Sequence, residues 1–275
     1  MTVSNAIRHD PWTELRRHTP ARIALGSSGD SLPTDELLRF GVAHAQARDA
    51  VHLPMDADSL RLELREHGFG DVLELESAAP DRATYLRRPD LGRQLSARSR
   101  QVLGDRQAAS CDVLCVVGDG LSATAVHRNA TALLVELRPR LAAAGLQCGP
   151  VVLAHQARVA LGDPIGEALT ARSVLVLIGE RPGLSSPDSL GAYFTWAPRS
   201  GLADSQRNCV SNIRAQGLHA ADAADKLAWL IAAARRLGAS GIALKDESGD
   251  ASGRVETQPG GPDQPVGDLP VKTAS

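Results

Sequence analysis

Three stretches of this 275-residue chain carry residue types that could do chemistry, and each follows an apolar run. The first, Gly118-Asp-Gly-Leu-Ser-Ala123, fits G-x-G-x-x-A, in which glycines let a turn approach a pyrophosphate at a helix N-terminus. Asp119 would put a negative charge where the pyrophosphate comes in. The acid expected to end the second strand and hold a ribose is also missing, because that strand runs into His155. The glycines are therefore read as making the turn or allowing another group close, and Ser122 as an N-cap. The second stretch runs from His155 to Glu167. His155 has the chemistry of a base or metal ligand but no second ligand at a useful spacing, so a hydrogen-bonded or exposed histidine is the simpler reading. Val159, by spacing alone, is an ordinary apolar residue, while Asp163 and Pro164 suit the start of a helix.

The third stretch is the richest. Gly179-Glu-Arg-Pro-Gly183 follows the strongest apolar run, and Arg181-Pro-Gly183 reads as a type II turn. Residues 184–212 are expected to lack a helix or strand of useful length, and a loop that long in a compact domain is usually functional. Its serines and asparagines suit hydrogen bonding to a large polar ligand. Glu180 either helps hold such a ligand or is a surface charge paired with an arginine. No G-x-S-x-G elbow, P-loop or H-E-x-x-H occurs, and no nucleophile, base and acid form a set. Ligand-facing loops without a catalytic kit suit a binding subunit better than a self-sufficient enzyme.

The elements that must position these loops alternate. Strands are expected at 112–117, 150–154, 173–178 and 241–244, and helices near 123–144, 163–171 and 220–237. The last helix carries Ala223, Leu227, Leu230, Ile231, Ala234 and Leu237 on one stripe and stops at Gly238. Short buried strands with helical crossovers make this an α/β fold with a Rossmann-like parallel sheet, covered by helices on both faces. Residues 101–245 form that domain. Residues 1–100 are mainly helical, with a helix entry at 10–14, a helix over 31–48, and a stretch at 56–68 that fits helix or strand. Residues 246–275, rich in Gly, Pro, Asp and Gln, are expected to be disordered.

Composition narrows the function. Apolar residues are 43% but aromatics only 3%, so the core is aliphatic. The net charge is −2, and no basic block with interleaved aromatics favours nucleic acid. The longest aliphatic run, 174–178, is too short to span a membrane, and the N-terminus lacks the apolar core of a signal peptide, so a cytoplasmic protein is expected. Cys111 and Cys115, four apart in one strand, are expected on one face roughly 13 Å apart. With Cys148 and Cys209 isolated in sequence, neither a disulfide framework nor a zinc site is implied.

Taken together, several strings resemble the small subunit of ethanolamine ammonia-lyase. They are Leu177-Ile-Gly-Glu-Arg-Pro-Gly-Leu-Ser-Ser-Pro-Asp-Ser-Leu-Gly-Ala-Tyr193, Arg158-Val159 with Asp163-Pro-Ile-Gly-Glu167, Arg207-Asn-Cys-Val-Ser-Asn-Ile213, Asp119-Gly-Leu-Ser122 and Arg88-Pro-Asp-Leu-Gly92. Upstream, Leu15-Arg-Arg-His-Thr-Pro-Ala-Arg22 and Ala43-His-Ala-Gln-Ala-Arg-Asp49 match as well. Each is weak alone; their order from about Asp10 to Lys245 makes the likeness strong. The resemblance implies an adenosylcobalamin enzyme that converts ethanolamine to acetaldehyde and ammonia by radical chemistry. A large (β/α)₈-barrel subunit would bind substrate, and this chain would close over the cofactor. It carries Val159, Glu180 and Cys209 over as cobalamin contacts: Val159 apolar, Glu180 accepting hydrogen bonds from corrin amides, Cys209 a packing contact and not a cobalt ligand. The Asp-x-His-x-x-Gly motif that lends a histidine to cobalt is absent, which implies that the cofactor keeps its own benzimidazole. The extension linked in some relatives to a bacterial microcompartment is nearly absent as well, which puts encapsulation in doubt. A nucleotide-binding oxidoreductase using 118–123, or a purely structural partner, are the alternatives.

Overall fold

The structure, a computed structural model, describes residues 7–106 and 110–248. Its N-terminal part is built from capped helices. A 3-10 turn at Pro11–Arg17 opens on Asp10, whose carboxylate accepts from the Trp12 amide. Then follow α1 (Thr34–His52) and α2 (Ala57–Glu66), which resolves the 56–68 stretch as helix. A strand, β1 (Val72–Glu76), leads to α3 (Arg82–Arg87) and α4 (Ala97–Gly104). Asp56, Asp81 and Ser96 cap α2, α3 and α4 through side-chain acceptors at 3.0, 2.7 and 3.0 Å.

From Cys111 the expected alternation appears: β2 (Cys111–Gly118), α5 (Ala123–Ala143), β3 (Cys148–His155), α6 (Gly162–Ala168) and β4 (Ala171–Gly179). Two further strands, β5 (Leu190–Trp196) and β6 (Arg207–Ile213), precede α7 (Ala220–Leu237). All six strands form one sheet in the order β1-β3-β2-β4-β5-β6. The first four are mutually parallel, whereas β5 and β6 are antiparallel additions at one edge.

Several expectations fail here. The stretch 184–212 is not irregular, because β5 and β6 occupy much of it. Conversely, 241–244 is no strand. Gly241 has φ +72°, and a Cβ there would collide with the Ser205 carbonyl, so the chain makes a 3-10 turn at Gly241–Ala243. The helix expected over 163–171 is also shorter, since Ala171 already belongs to β4. The disorder expected after Asp246 concerns, from residue 249 on, positions outside the described residues.

Two apolar cores flank the sheet. On one face α2, α5 and α7 bury Leu60, Leu133, Leu137, Leu227 and Ile231 against β2, β4, β5 and β6. On the other, α4 and α6 bury Leu103, Leu161 and Ile165 against β1, β2, β3 and β4. Each such leucine or isoleucine contributes roughly 1.5–3 kcal/mol by leaving water. All four cysteines are free thiols. Cys111 and Cys115 fall in different cores, against the expectation of a shared face, and the β2–β3 ladder slips between Val113 and Cys115. No helix of the described residues is long and apolar enough to cross a membrane.

Candidate functional site

The carboxyl ends of β2, β3 and β4 share one edge, and the antiparallel strands bring two more ends to it. Leu190 pairs with Gly179 and with Ile213. Along β5, Leu190, Ala192 and Phe194 enter the α5/α7 core, so the alternate residues Gly191 and Tyr193 point to the opposite face. Cys209 pairs with Tyr193 there. Beside α6, nothing among the described residues covers that part of the sheet: Tyr193 is half-buried, and Cys209 and Ser211 are exposed.

Val159 arrives from the β3 side. After His155 the chain turns through Gln156, held at φ +53°, and Val159 opens a 3-10 turn that runs into α6. Val159, Tyr193 and Cys209 line one cavity of about 300 Å³, together with Arg93, Arg158 and Arg207. Two of the three residues singled out by the resemblance thus share a wall. Desolvation by its surroundings pushes the Cys209 thiol up; a hydrogen bond with Tyr193 works against this and the Glu180 charge adds to it. The Tyr193 hydroxyl is likewise raised, by desolvation first and then by Cys209 and Glu180. Both groups are therefore neutral near pH 7.

Glu180 joins this surface across Gly191. A Cβ on Gly191 would lie 3.0 Å from Glu180 Oε1 and 3.0 Å from Tyr193 Cε2, so the missing side chain is what lets the carboxylate and ring flank a flat patch. Glu180 Oε2 accepts from the Ser189 hydroxyl at 2.5 Å and more weakly from the Asn212 amide at 3.4 Å. Arg214, itself buried, donates to Asn212 Oδ1 at 2.8 Å and to the Ser185 carbonyl at 3.3 Å, which ties the two loops together. Oε1 accepts no hydrogen bond among the described residues, and Glu180 makes no ion pair there. It is a held acceptor, not half of a surface pair.

Behind this surface lies a buried polar knot. Asp119, 2% exposed, accepts from the amides of Gln156 and Ala157 at 3.0 Å each and from Arg82 at 3.4 Å. Burial pushes its carboxyl up, while Arg82 and those amides pull it back. Tyr85, fully buried, is stacked by Arg82 (4.8 Å) and Arg158 (4.3 Å) and donates to the Ala157 carbonyl at 2.9 Å. Gly120 packs so closely on Ile178 and Gly179 that a side chain has no room, and the Leu121 and Ser122 amides donate to the Gly179 and Asp119 carbonyls. Ser122 caps α5 at the Ala125 amide, 3.1 Å, and donates to the Pro187 carbonyl at 2.7 Å. The G-x-G-x-x-A string is thus an interlock between loops in which the Asp119, Leu121 and Ser122 amides are already used. His155 bonds Glu74 on β1 at 2.9 Å, and among the described residues no cluster suited to a metal ion forms.

The family model for "Ethanolamine ammonia-lyase light chain" matches residues 9–245. This chain belongs to that family. Proteins named ethanolamine ammonia-lyase small subunit resemble it along most of their length. The one from Ralstonia nicotianae is 55% identical over 87% of this chain and 90% of its own. That from Pseudomonas syringae pv. tomato is 54% identical over 89% and 86%, and that from Azotobacter vinelandii 56% identical over 87% and 89%. The family is that of a lyase subunit.

Gly191 and Tyr193 were not singled out from sequence. The available signal was period-2 alternation in Leu190–Trp196, with Leu, Ala and Phe on one face and Gly, Tyr and Thr on the other.

Proposed function

We propose that this chain closes one side of the adenosylcobalamin site of ethanolamine ammonia-lyase, against a large barrel subunit that binds ethanolamine. The observation that supports this most directly is the uncovered face on which Val159, Cys209, Tyr193 and Glu180 stand side to side around Gly191. The residues fit the cofactor: Val159, Tyr193 and Cys209 offer uncharged contact for a macrocycle, arginines border them, and one free carboxylate oxygen of Glu180 can accept from an amide donor. When bound, adenosylcobalamin supplies the radical chemistry that turns ethanolamine into acetaldehyde and ammonia. This chain's part is placement and exclusion of water. Val159 gives apolar contact, Glu180 Oε1 accepts from the cofactor's amides, and Cys209 packs beside Tyr193 as a neutral thiol.

The N-terminal region serves as the docking surface for the large subunit. It exposes Trp12, Leu15, Leu37, Leu38, Phe40 and Val42, while α1 buries only Glu36 and Ala50. Arg16 and Arg39 hold Glu36 at 2.8 and 3.1 Å, and this charged cluster lines one cavity with Leu184 and Ser185, beside the Glu180 loop.

Co-expression with the large subunit is expected to give cobalamin-dependent acetaldehyde release, and the chain alone none. In the assembled complex Glu180→Ala should weaken cobalamin binding by about tenfold, the scale of one hydrogen bond to a charged group. Activity from the chain alone, or unchanged affinity in the variant, would overturn the reading.

A further inference from the structure

The arginines around Cys209 are unequally partnered. Arg207, with its side chain 2% exposed, donates to both Asp163 oxygens at 2.7 Å and to Thr195 at 3.0 Å. Asp204, 3.4 Å away, answers it further. Arg158 is different. Its plane lies over Tyr85, one nitrogen donates to the Tyr85 carbonyl at 3.3 Å, and its Nε is buried without a partner. It makes no ion pair among the described residues. Nor does Arg93, whose exposed side chain also makes no hydrogen bond among them. Both line the cavity of about 300 Å³ that holds Val159 and Cys209; the carboxylate in that lining, Asp204, pairs with Arg207, so the other two guanidiniums have none of their own.

Their placement is fixed by the backbone. The Arg158 amide donates to the Gly92 carbonyl at 2.8 Å, and a Cβ on Gly92 would lie 2.8 Å from Arg158 Cγ. The turn Leu91–Arg93 therefore brings Arg93 beside Arg158, which gives the Arg88-Pro-Asp-Leu-Gly92 string a purpose. Arg93 also borders an adjoining cavity of about 930 Å³ whose walls include Leu95, Leu103 and Pro164. Two guanidiniums without carboxylate partners in one cavity, one of them bordering a part-apolar neighbour, suit an oxyanion that carries organic groups, because the guanidinium fork matches phosphate oxygens.

We propose that Arg93 and Arg158 hold the phosphodiester of the cobalamin nucleotide tail, an inference that rests on the cofactor reading above. The corrin rim carries neutral amides, so this phosphodiester is the cofactor's anionic group. Glu180 and the arginine pair then divide the work: the acceptor meets amide donors, and the cations meet the anion.

The test uses the assembled two-subunit complex and reads binding, not turnover. Cyanocobalamin and dicyanocobinamide, which lacks the nucleotide and its phosphate, are titrated by equilibrium dialysis. Wild type is expected to prefer cobalamin. Arg93→Gln, a change at an exposed side chain without partners, should shrink that preference by about tenfold and leave cobinamide affinity unchanged. Arg158→Gln should do the same, and Arg93→Lys should keep part of the preference. Inorganic phosphate should compete with cobalamin in wild type and less in the variants. Equal loss for both corrinoids would mean that the arginines only shape the surface, and an unchanged preference would mean that they touch no phosphate; either overturns the proposal. A complex in which these variants lose no preference while Glu180→Ala still loses cobalamin refutes the phosphate subsite alone. A wild-type complex that takes up neither corrinoid refutes the cofactor reading itself.

Discussion

On the α5/α7 side the sheet is closed across β2, β4, β5 and β6 by interlocking Leu, Ala, Ile and Phe side chains. On the opposite side α4 and α6 close it over β1 to β4 and then stop, leaving Tyr193 half-buried and Cys209 and Ser211 exposed, with Gly191 between Tyr193 and Glu180. The same two strands, β5 and β6, thus carry a finished core on one face and an unfinished surface on the other. The first face is organised for stability; the second is the one we propose meets the cofactor. The border between them is the buried Arg207–Asp163 pair, which ties β6 to α6 at 2.7 Å.

That border should give the largest effect. Asp163→Ala takes from a buried guanidinium its bidentate partner, leaving only the exposed Asp204 as counter-charge, and is expected to cost about 3 kcal/mol in denaturant unfolding, whereas replacing both partners by Leu and Met should restore most of it. Within the closed face, Leu227→Ala should cost about 2–5 kcal/mol. Cys209→Ala, on the open face, should cost about 0.5 kcal/mol or less while weakening corrinoid binding by the assembled complex. A Cys209 variant as unstable as the Leu227 one would erase the distinction between the faces. Gly191→Val should sit between: crowding Glu180 and Tyr193 costs about 1–3 kcal/mol, and cobalamin affinity falls with it.

The smallest effect lies at the far edge of the sheet. Partial burial works against the Glu74 carboxylate, but hydrogen bonds from His155 and Arg61 outweigh it and hold its pKa below the usual range. A depressed acid stabilises the fold above its unfolded pKa, about 4.3, and loses that contribution as pH falls through the folded value. Glu74→Gln should therefore flatten acid unfolding between about pH 5 and 3. The stability difference at pH 7 should be about 0.5 kcal/mol or less, since the pair is solvent-screened.

What was legible in the sequence follows the same division. The strands β2, β3 and β4 are buried on both faces and read as unbroken apolar runs, and α7 shows its stripe. The strand β6, Arg-Asn-Cys-Val-Ser-Asn-Ile, buries only one face, and its outward residues are types that strands disfavour. In β5 the glycine and alanine weaken the signal further, although Gly191 is what the site needs. The strand β1 hides because its Leu73 and Leu75 alternate with glutamates at an edge. Glu180 was visible as an unusual residue after a strong strand, and Val159 and Cys209 only through family likeness, since neither apolar burial nor an exposed thiol announces a ligand. Their meeting depends on the antiparallel return of β5 and β6, a tertiary fact that no local pattern contains.

The Gly241 turn has a bearing on what the chain does before it meets a partner. β6 is the last strand of the sheet, and an unpaired strand edge invites addition of a strand from another molecule. Asn208 grips the turn from both sides, accepting from the Gly241 amide at 2.7 Å and donating to the Leu244 carbonyl at 2.9 Å, and Ser240 bonds the Gln206 carbonyl at 2.6 Å. This short clasp occupies the start of the exposed edge with the chain's own backbone. It guards a newly made chain against aggregation while leaving the outward face of the same strand free.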